Sequence, residues 1–260
     1  MKSTKWQNFQ FVLSKPLSNH RPDAAGKLSF SVSFSCISSL TSKIPDDSSA
    51  NSKSKELAFT PEELTKINLL IPRLCLSNHL TPAIQLTTTA LMANPCPKSF
   101  SFSILIHSLT LQPDLKLPMS LLNRLKHTPR AHSCLAPITT LLITSYLKKG
   151  RSKDALKVYN WMLRPESPCM VEKTVYGVLV GEFCRTGLVL EGLSVLRDMV
   201  KVNLRPGEGL RERIFRSLLR EARIREALEL KEALSHLSNS TDGVEKVLNL
   251  LDHLIRNWTV

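Results

Sequence analysis

Residues 138–163 read ITTLLITSYLKKGRSKDALKVYNWML, and residues 174–206 read TVYGVLVGEFCRTGLVLEGLSVLRDMVKVNLRP. Apolar side chains recur in both stretches at intervals of three, four and seven residues, which is the spacing of one face of an α-helix. Each stretch is interrupted by a glycine, Gly150 or Gly187, and glycine commonly ends helices. Each stretch therefore predicts two helices joined by a short turn.

The two stretches align with each other, and the same pattern extends in both directions along the chain. The units are predicted at residues 64–98, 99–135, 136–172, 173–207 and 208–242. The first helix of each unit, helix A, carries two apolar pairs one turn apart. The second, helix B, carries a small residue where the two helices cross. Because no single hairpin can bury such a stripe, the units must stack. The sequence predicts an all-α solenoid of helix-turn-helix repeats over residues 56–242, followed by a C-terminal capping helix at 243–260.

Residues 1–55 differ in composition from the rest of the chain. Between Met1 and Lys43 they contain ten Ser, six basic residues and one acidic residue, Asp23. This composition is typical of an organellar transit peptide, here followed by a polar linker. A disordered Ser-rich tail is the alternative. Arg21 is the only arginine of the segment, which weakens the mitochondrial interpretation and leaves the plastid interpretation open.

The chain is strongly basic, with a formal net charge of +13 over 260 residues. Residues 1–56 hold eight Lys or Arg and four Asp or Glu, so the remainder keeps a net charge of +9. Such a balance favours polyanionic partners, with nucleic acid first and an anionic membrane surface second. The longest apolar-leaning run, 135–147, contains Thr and Ser and is too short to span a bilayer. We therefore expect no membrane insertion.

Signatures of metal, cofactor and catalytic sites are missing from the sequence. The six cysteines form no CxxC pair, which excludes a zinc ribbon and a thioredoxin-type site, and we expect most of them to be reduced. His127, His132 and Cys134 lie close together but lack a fourth metal ligand. The chain contains no HExxH, GxSxG, Walker or dinucleotide-binding motif. The sequence predicts no enzyme, no cofactor and no metal site.

Residues 174–206 resemble a pentatricopeptide repeat (PPR). The positions that carry the resemblance are Tyr176, the run Phe183-Cys184-Arg185, Gly187, Met199 and Pro206. Residues 138–163 are a second good match, and 99–109 match the start of a third. Tetratricopeptide repeats have a similar period, but the proline near the end of the unit and the basic charge favour the PPR family. The resemblance spans about residues 64–240 and indicates a short member without a catalytic extension.

The resemblance implies a right-handed superhelix that binds single-stranded RNA in an organelle. Each repeat of the family holds one base through two or three side chains, at the fifth residue of helix A and at the last residue of the unit. The fifth positions here are Asn68, Ser103, Thr140, Gly177 and Glu212, and the last positions of the two 35-residue units are Lys98 and Gly207. Asn, Ser and Thr are side chains that the family uses, whereas Gly177 and Glu212 are not. No unit carries a complete pair, so no target base string is predicted.

The last unit is rich in arginine. We expect Arg211, Arg213, Arg216 and Arg220 to contact RNA phosphates. The alternative is a solvated helix face with the ion pairs Glu212–Arg216 and Glu221–Arg225. Lys148, Lys149 and Arg151 cluster at a helix–helix turn, where we expect them to be solvated.

The predicted RNA-binding set combines base contacts with phosphate contacts. Its members are Asn68, Lys98, Ser103, Thr140, Arg211, Arg213, Arg216 and Arg220. The predicted function is transcript splicing, processing, stabilisation or translation. Because about five repeats can read only a few bases, we expect a protein partner or a homo-oligomer to contribute to specificity. The alternative function is a protein scaffold, for example a ribosome-associated adaptor in the organelle.

Overall fold

A computed structural model describes residues 59–92, 102–237 and 241–258 of the chain. These residues belong to one compact unit, Asn51–Val260. The predicted transit peptide and linker at 1–55 lie outside the described residues, and so does Lys98 of the predicted RNA-binding set.

The described part of the chain is helical and contains no β-strand. A short 3-10 turn, Pro129–Ala131, leads into the fifth helix. The α-helices are α1 Pro61–Leu76, α2 Leu80–Met92, α3 Ser103–Leu111, α4 Lys116–Lys126, α5 His132–Lys148, α6 Ser152–Met162, α7 Lys173–Thr186, α8 Val189–Lys201, α9 Glu208–Arg220, α10 Ile224–Ser235 and α11 Thr241–Arg256.

Successive helices pair into five hairpins, α1–α2 to α9–α10, which we number hairpins 1 to 5. The odd-numbered helices of these hairpins are the helices A, and each packs on the helix A of the hairpin before it. Helices α3, α5 and α9 also contact the preceding helix B. The predicted fold class, an all-α solenoid of helix-turn-helix repeats, is confirmed. The first and third hairpins begin at Pro61 and His132, a few residues before the expected unit starts.

The apolar pairs of helix A form the centre of the stack. In α5 and α7 all of them are buried: Leu142, Ile143, Tyr146 and Leu147 in the first, and Leu179, Val180, Phe183 and Cys184 in the second. The small residue of helix B lies where the helices cross. A Cβ built on Gly192 would lie 3.4 Å from the Sγ atom of Cys184, so this crossing has room for a methyl group at most.

One turn position recurs along the array in the left-handed backbone conformation. It is occupied by Asn78, Gly150, Gly187 and Ala222 in hairpins 1, 3, 4 and 5, with φ between 58° and 80° in every case. Gly and Asn adopt this conformation at little cost, but an alanine Cβ crowds the following carbonyl. The fifth hairpin therefore closes on a strained residue, whereas its two predecessors close on glycine.

Replacing Ala222 by glycine is expected to stabilise the protein. The left-handed conformation costs alanine about 1–2 kcal/mol, and the greater flexibility of an unfolded glycine offsets about 0.4–1 kcal/mol of that gain. We expect Ala222→Gly to raise the free energy of unfolding by about 0.5–1 kcal/mol, measured by urea denaturation. The matched variant Gly187→Ala should lower it by a similar amount, and equal effects of the same sign would contradict this account.

Two of the cations expected to be solvated instead bind groups at the end of α3. Arg151 donates hydrogen bonds to the carbonyls of Thr110 at 3.0 Å, Pro113 at 3.0 Å and Gln112. Lys149 donates to Thr110 Oγ1 at 2.8 Å and to the carbonyl of His107 at 3.3 Å. The last carbonyls of a helix have no partner within the helix, and here the next hairpin supplies the donors. The expectation of solvation was wrong for Lys149 and Arg151.

Binding of helix-end carbonyls by an arginine recurs in hairpin 5. Arg223 occupies the repeat position of Arg151 and donates to the carbonyls of Asn257 at 3.1 Å and Trp258 at 2.9 Å, beyond the end of α11. Its guanidinium also stacks on the Trp258 ring, 4.7 Å from the centroid. Both arginines pair with an acidic residue three positions later in the sequence. Arginine at this repeat position therefore fastens a neighbouring helix by its carboxyl end.

Loss of the Arg151 side chain is expected to destabilise the fold. Three carbonyls and the Asp154 carboxylate would lose a charged donor. We expect Arg151→Ala to lower the free energy of unfolding by about 2–3 kcal/mol, because hydrogen bonds from a charged group contribute about 1.5–3 kcal/mol. Urea denaturation would measure the change. The neighbouring exposed Lys153→Ala is the control, with an expected change within about 0.5 kcal/mol.

The C-terminal helix packs along the side of the array. Helix α11 contacts α8 and α10, and Arg197 of α8 forms an ion pair with Asp252 of α11 at 3.1 Å. The buried residues of α11 are Val247, Leu251 and Leu254. The predicted C-terminal capping helix thus lies against the helices B of hairpins 4 and 5.

Candidate nucleic-acid interface

Helices A of hairpins 3 to 5 border an open cavity of about 650 Å³, which we call the groove. Its lining comes from α5, α7 and α9, three successive helices of the stack. The lining residues are Thr144, Leu147, Lys148, Thr174, Gly177, Val178, Glu182, Arg185 and Arg213. The groove therefore runs across the hairpins, as a ligand that contacts one hairpin after another would require.

Each of the three helices contributes one cation to the groove: Lys148, Arg185 or Arg213. Arg185 donates to the Glu182 carboxylate at 2.9 Å, and this hydrogen bond holds the pKa of Glu182 below its usual value. The side chains of Lys148 and Arg213 are exposed and form no hydrogen bond or ion pair with other residues that the structure describes. Two cations are thus available to an anionic ligand, and the third is partly neutralised.

The guanidinium of Arg213 lies directly over Gly181 of α7. A Cβ built on Gly181 would lie 2.9 Å from Nη1 of Arg213, which is closer than real Cβ contacts, and its other contact within 4 Å is also with Arg213. The absence of a side chain at this position lets α9 direct its arginine across α7 into the groove. Glycine here determines the position of a charge that belongs to the next hairpin.

Replacing Gly181 by alanine is expected to move Arg213 and leave the fold intact. The colliding atom is the far end of a flexible side chain, and alanine stabilises a helix interior by about 0.5–1 kcal/mol relative to glycine. We expect Gly181→Ala to raise the free energy of unfolding by up to about 1 kcal/mol in a denaturant titration. A loss of stability would show that the space over Gly181 is filled by more than the arginine.

The predicted arginine cluster divides between two faces of α9. Arg213, Arg216 and Arg220 follow one another at intervals of three and four residues and share one face of α9, of which Arg213 lines the groove. Arg211 points elsewhere: it pairs with Glu208 and donates to the carbonyl of Leu234 in α10 at 3.3 Å. Its side chain therefore links the two helices of hairpin 5 and lies away from the groove.

Two of the groove-side arginines are also engaged within the protein. Arg216 pairs with Glu212 at 3.0 Å, as in the alternative interpretation of the sequence. Arg220 donates to the carbonyl of Cys184 at 3.0 Å. The predicted pair Glu221–Arg225 is not formed, because α9 ends at Arg220 and Glu221 lies in the turn. Arg225 pairs with Glu229 inside α10 instead, at 2.8 Å.

The predicted base-contacting residues occupy equivalent places on three separate helices. Asn68 of α1, Ser103 of α3 and Thr140 of α5 stand at the repeat position of Gly177, which lines the groove. Ser103 is exposed, and the other two are partly exposed. Thr140 Oγ1 donates to the carbonyl of Ala136 at 2.8 Å, which leaves this hydroxyl free only as an acceptor.

An exposed apolar row accompanies these positions, and it was not predicted from the sequence. Leu69, Ile104, Leu141 and Val178 occupy one repeat position in hairpins 1 to 4, and Arg213 replaces them in hairpin 5. A second position changes in the same direction. It reads Leu76, Leu111, Lys148, Arg185 and Arg220 from hairpin 1 to hairpin 5. At these two repeat positions the array thus changes from apolar at the amino end to basic at the carboxyl end. We call the surface formed by these two positions along the helices A the groove face.

The remaining candidate sites have no cluster of functional groups in the described part of the chain. Cys75, Cys169 and Cys184 are buried free thiols, and burial raises the pKa of each. His132 hydrogen-bonds the carbonyl of Lys126 through Nε2 at 2.8 Å. No group of three potential metal ligands occurs among the residues described. None of the helices searched there has the length and apolar character that a membrane span needs.

Stacked helix-turn-helix hairpins with a groove along their first helices define a helical-repeat binding protein. A family model for the PPR repeat matches residues 138–164 and 174–204, which cover hairpins 3 and 4. The chain therefore carries two pentatricopeptide repeats, at hairpins 3 and 4. Proteins of this family generally bind single-stranded RNA, and their repeats are typically non-catalytic. A search of curated proteins finds no match.

Proposed function

We propose that the protein binds single-stranded RNA of an organelle along the helices A, without catalysing a reaction on it. The observation that carries the proposal is the row of cations Lys148, Arg185 and Arg213, one from each of three successive hairpins, around one open groove. A single strand presents one phosphate per nucleotide, and a row of cations can follow its backbone. Arg216 and Arg220 extend this row along α9.

The distribution of side chains supports different tasks for the two ends of the groove face. The cations of hairpins 3 to 5 would hold phosphates and supply most of the affinity. Thr140, Ser103 and Asn68, one per hairpin, would contact base edges toward the amino end. Neither Gly177 nor Glu212 offers the family's usual side chain at the fifth position, so hairpins 4 and 5 would bind with little base preference. Affinity would therefore exceed specificity in this protein.

The proposed role is in splicing, processing, stabilisation or translation of an organellar transcript. It rests on the family and on the Ser-rich, acid-poor composition of residues 1–55. With few base-reading positions, the protein would position or protect an RNA that another factor processes. A protein partner or a second copy would supply the remaining specificity.

Removing groove cations should weaken RNA binding and reduce its salt dependence. We expect Lys148→Ala and Arg213→Ala each to lower the slope of log K against log salt by about 0.7, the value for one phosphate contact on a single strand. Fluorescence anisotropy with a labelled oligouridylate at several salt concentrations would measure it. The matched control is Lys153→Ala, an exposed lysine of helix B in α6, which should leave the slope unchanged.

Equal slopes for the groove variants and the control would contradict binding in the groove. Binding that is independent of salt would contradict phosphate recognition altogether. The double variant Lys148→Ala/Arg213→Ala should add the two effects, to about 1.4, because the residues stand on different helices and have no partner in common among the described residues.

The second candidate function is a protein scaffold in the organelle, and the apolar half of the groove face favours it. Leu76 and Leu111 are 84% and 61% exposed at positions where the later hairpins carry cations. Crosslinking and sequencing of RNA bound to the protein in isolated organelles separates the two functions. Enriched transcripts support the RNA-binding function, whereas their absence together with recovery of a stable protein complex would support the scaffold.

A further inference from the structure

Within residues 59–92, 102–237 and 241–258, the stack of hairpins ends at hairpin 5 on a face that no helix covers. Inside the array, each helix A is followed by another: α9, for example, packs on both α7 and α8. In the described part of the chain no further helix A follows α9. Helix α11 packs on α8 and α10, so it does not replace the missing helix A.

Residues at equivalent repeat positions of hairpins 4 and 5 show which surface a following helix A would bury. In hairpin 4, which α9 follows, Cys184, Val189 and Leu193 are only 2%, 2% and 1% exposed. Their equivalents in hairpin 5 are Leu219, Ile224 and Leu228, which are 38%, 61% and 56% exposed. The sequence keeps large apolar side chains at all three positions. We call these three residues of hairpin 5 the end face.

The charges beside the end face complement each other when a second copy of α10 runs in the opposite direction. Arg225 and Glu229 of α10 are exposed and four residues apart, and they pair with each other at 2.8 Å. Two antiparallel copies of α10 would place Arg225 of each chain near the partner's Glu229. The apolar residues Ile224 and Leu228 of α10 are complementary in the same way, because the reversal brings Ile224 beside the partner's Leu228. A surface that complements itself in this way suits a two-fold interface.

We propose that a second copy of this chain covers the end face, with the two α10 helices antiparallel across a two-fold axis. The apolar residues of hairpin 5 are then buried as their equivalents are in hairpin 4, and Arg225 and Glu229 exchange their partner within the helix for one in the other chain. The proposal does not rest on RNA binding, because none of the three end-face residues lines the groove.

Sedimentation velocity of the full chain over a range of concentrations tests the proposal. We expect a discrete dimer, and Leu228→Glu should raise its dissociation constant at least about tenfold, because a charge would be buried in place of an apolar side chain. Leu111→Glu is the matched control, since Leu111 is similarly exposed but lies on α3. Circular dichroism melting of each variant establishes that the fold is retained.

Charge exchange tests the antiparallel arrangement itself. Arg225→Glu and Glu229→Arg should each weaken the dimer, because every chain then carries two like charges at the interface. Mixing the two variants should restore dimerisation, since the two acidic side chains of the first variant would face the two arginines of the second. Both variants lose the same intrahelical pair, so restoration on mixing comes from contacts between chains.

Several outcomes would overturn the proposal. The protein could remain a monomer at about 100 µM, well above the dissociation constant of a specific dimer, or lose its dimer equally in Leu228→Glu and Leu111→Glu. Failure of the mixed variants to associate better than either alone would exclude the two-fold pairing. Continued growth beyond a dimer would indicate head-to-tail stacking of the end face on hairpin 1. The salt slope of oligouridylate binding per chain should be unchanged in Leu228→Glu, which keeps Lys148 and Arg213 of the groove, and this separates the result from the test of the groove.

Discussion

Burial of the apolar stripe of helix A is the constraint on which the rest of the structure depends. A pair of short helices shields one side of such a stripe, and the next hairpin must shield the other. The described hairpins satisfy this need in sequence, α3 on α1 and α9 on α7. The groove follows from it, because the side of each helix A that no neighbour covers faces the same way in every hairpin. A binding surface thus arises as a by-product of packing.

The cations of the protein divide into two groups with different tasks. Arg151, Arg223 and Lys149 bind carbonyls at helix ends and hold neighbouring elements together. Lys148 and Arg213 have no such partner among the described residues and border the groove. A high net charge therefore overstates the charge available to a ligand. Adjacent residues of one turn, Lys148 and Lys149, fall into different groups because one points along the groove and the other toward α3.

The period and the apolar spacing were sufficient to predict the all-α repeat fold, since both follow from local helix geometry. Gly150 and Gly187 were likewise predictable as helix ends, because few other residues adopt their backbone conformation. The partners of Arg211, Arg151 and Arg225 were not predictable, because they depend on how neighbouring helices meet and on where α9 ends. The repeat alignment contains the apolar row of the groove face, but only the structure shows that its side chains remain exposed.

The change from apolar to basic side chains along the helices A makes the charge of the groove face asymmetric. Three cations border the groove at hairpins 3 to 5, whereas hairpins 1 and 2 carry leucine or isoleucine at the two repeat positions compared above. Long-range attraction would orient an approaching polyanion before any contact forms. A strand would then be captured first at the carboxyl end and would settle toward the amino end afterwards. Capture at the carboxyl end would precede base contacts at the amino end. Raising the ionic strength would slow the capture step far more than it would weaken the base contacts.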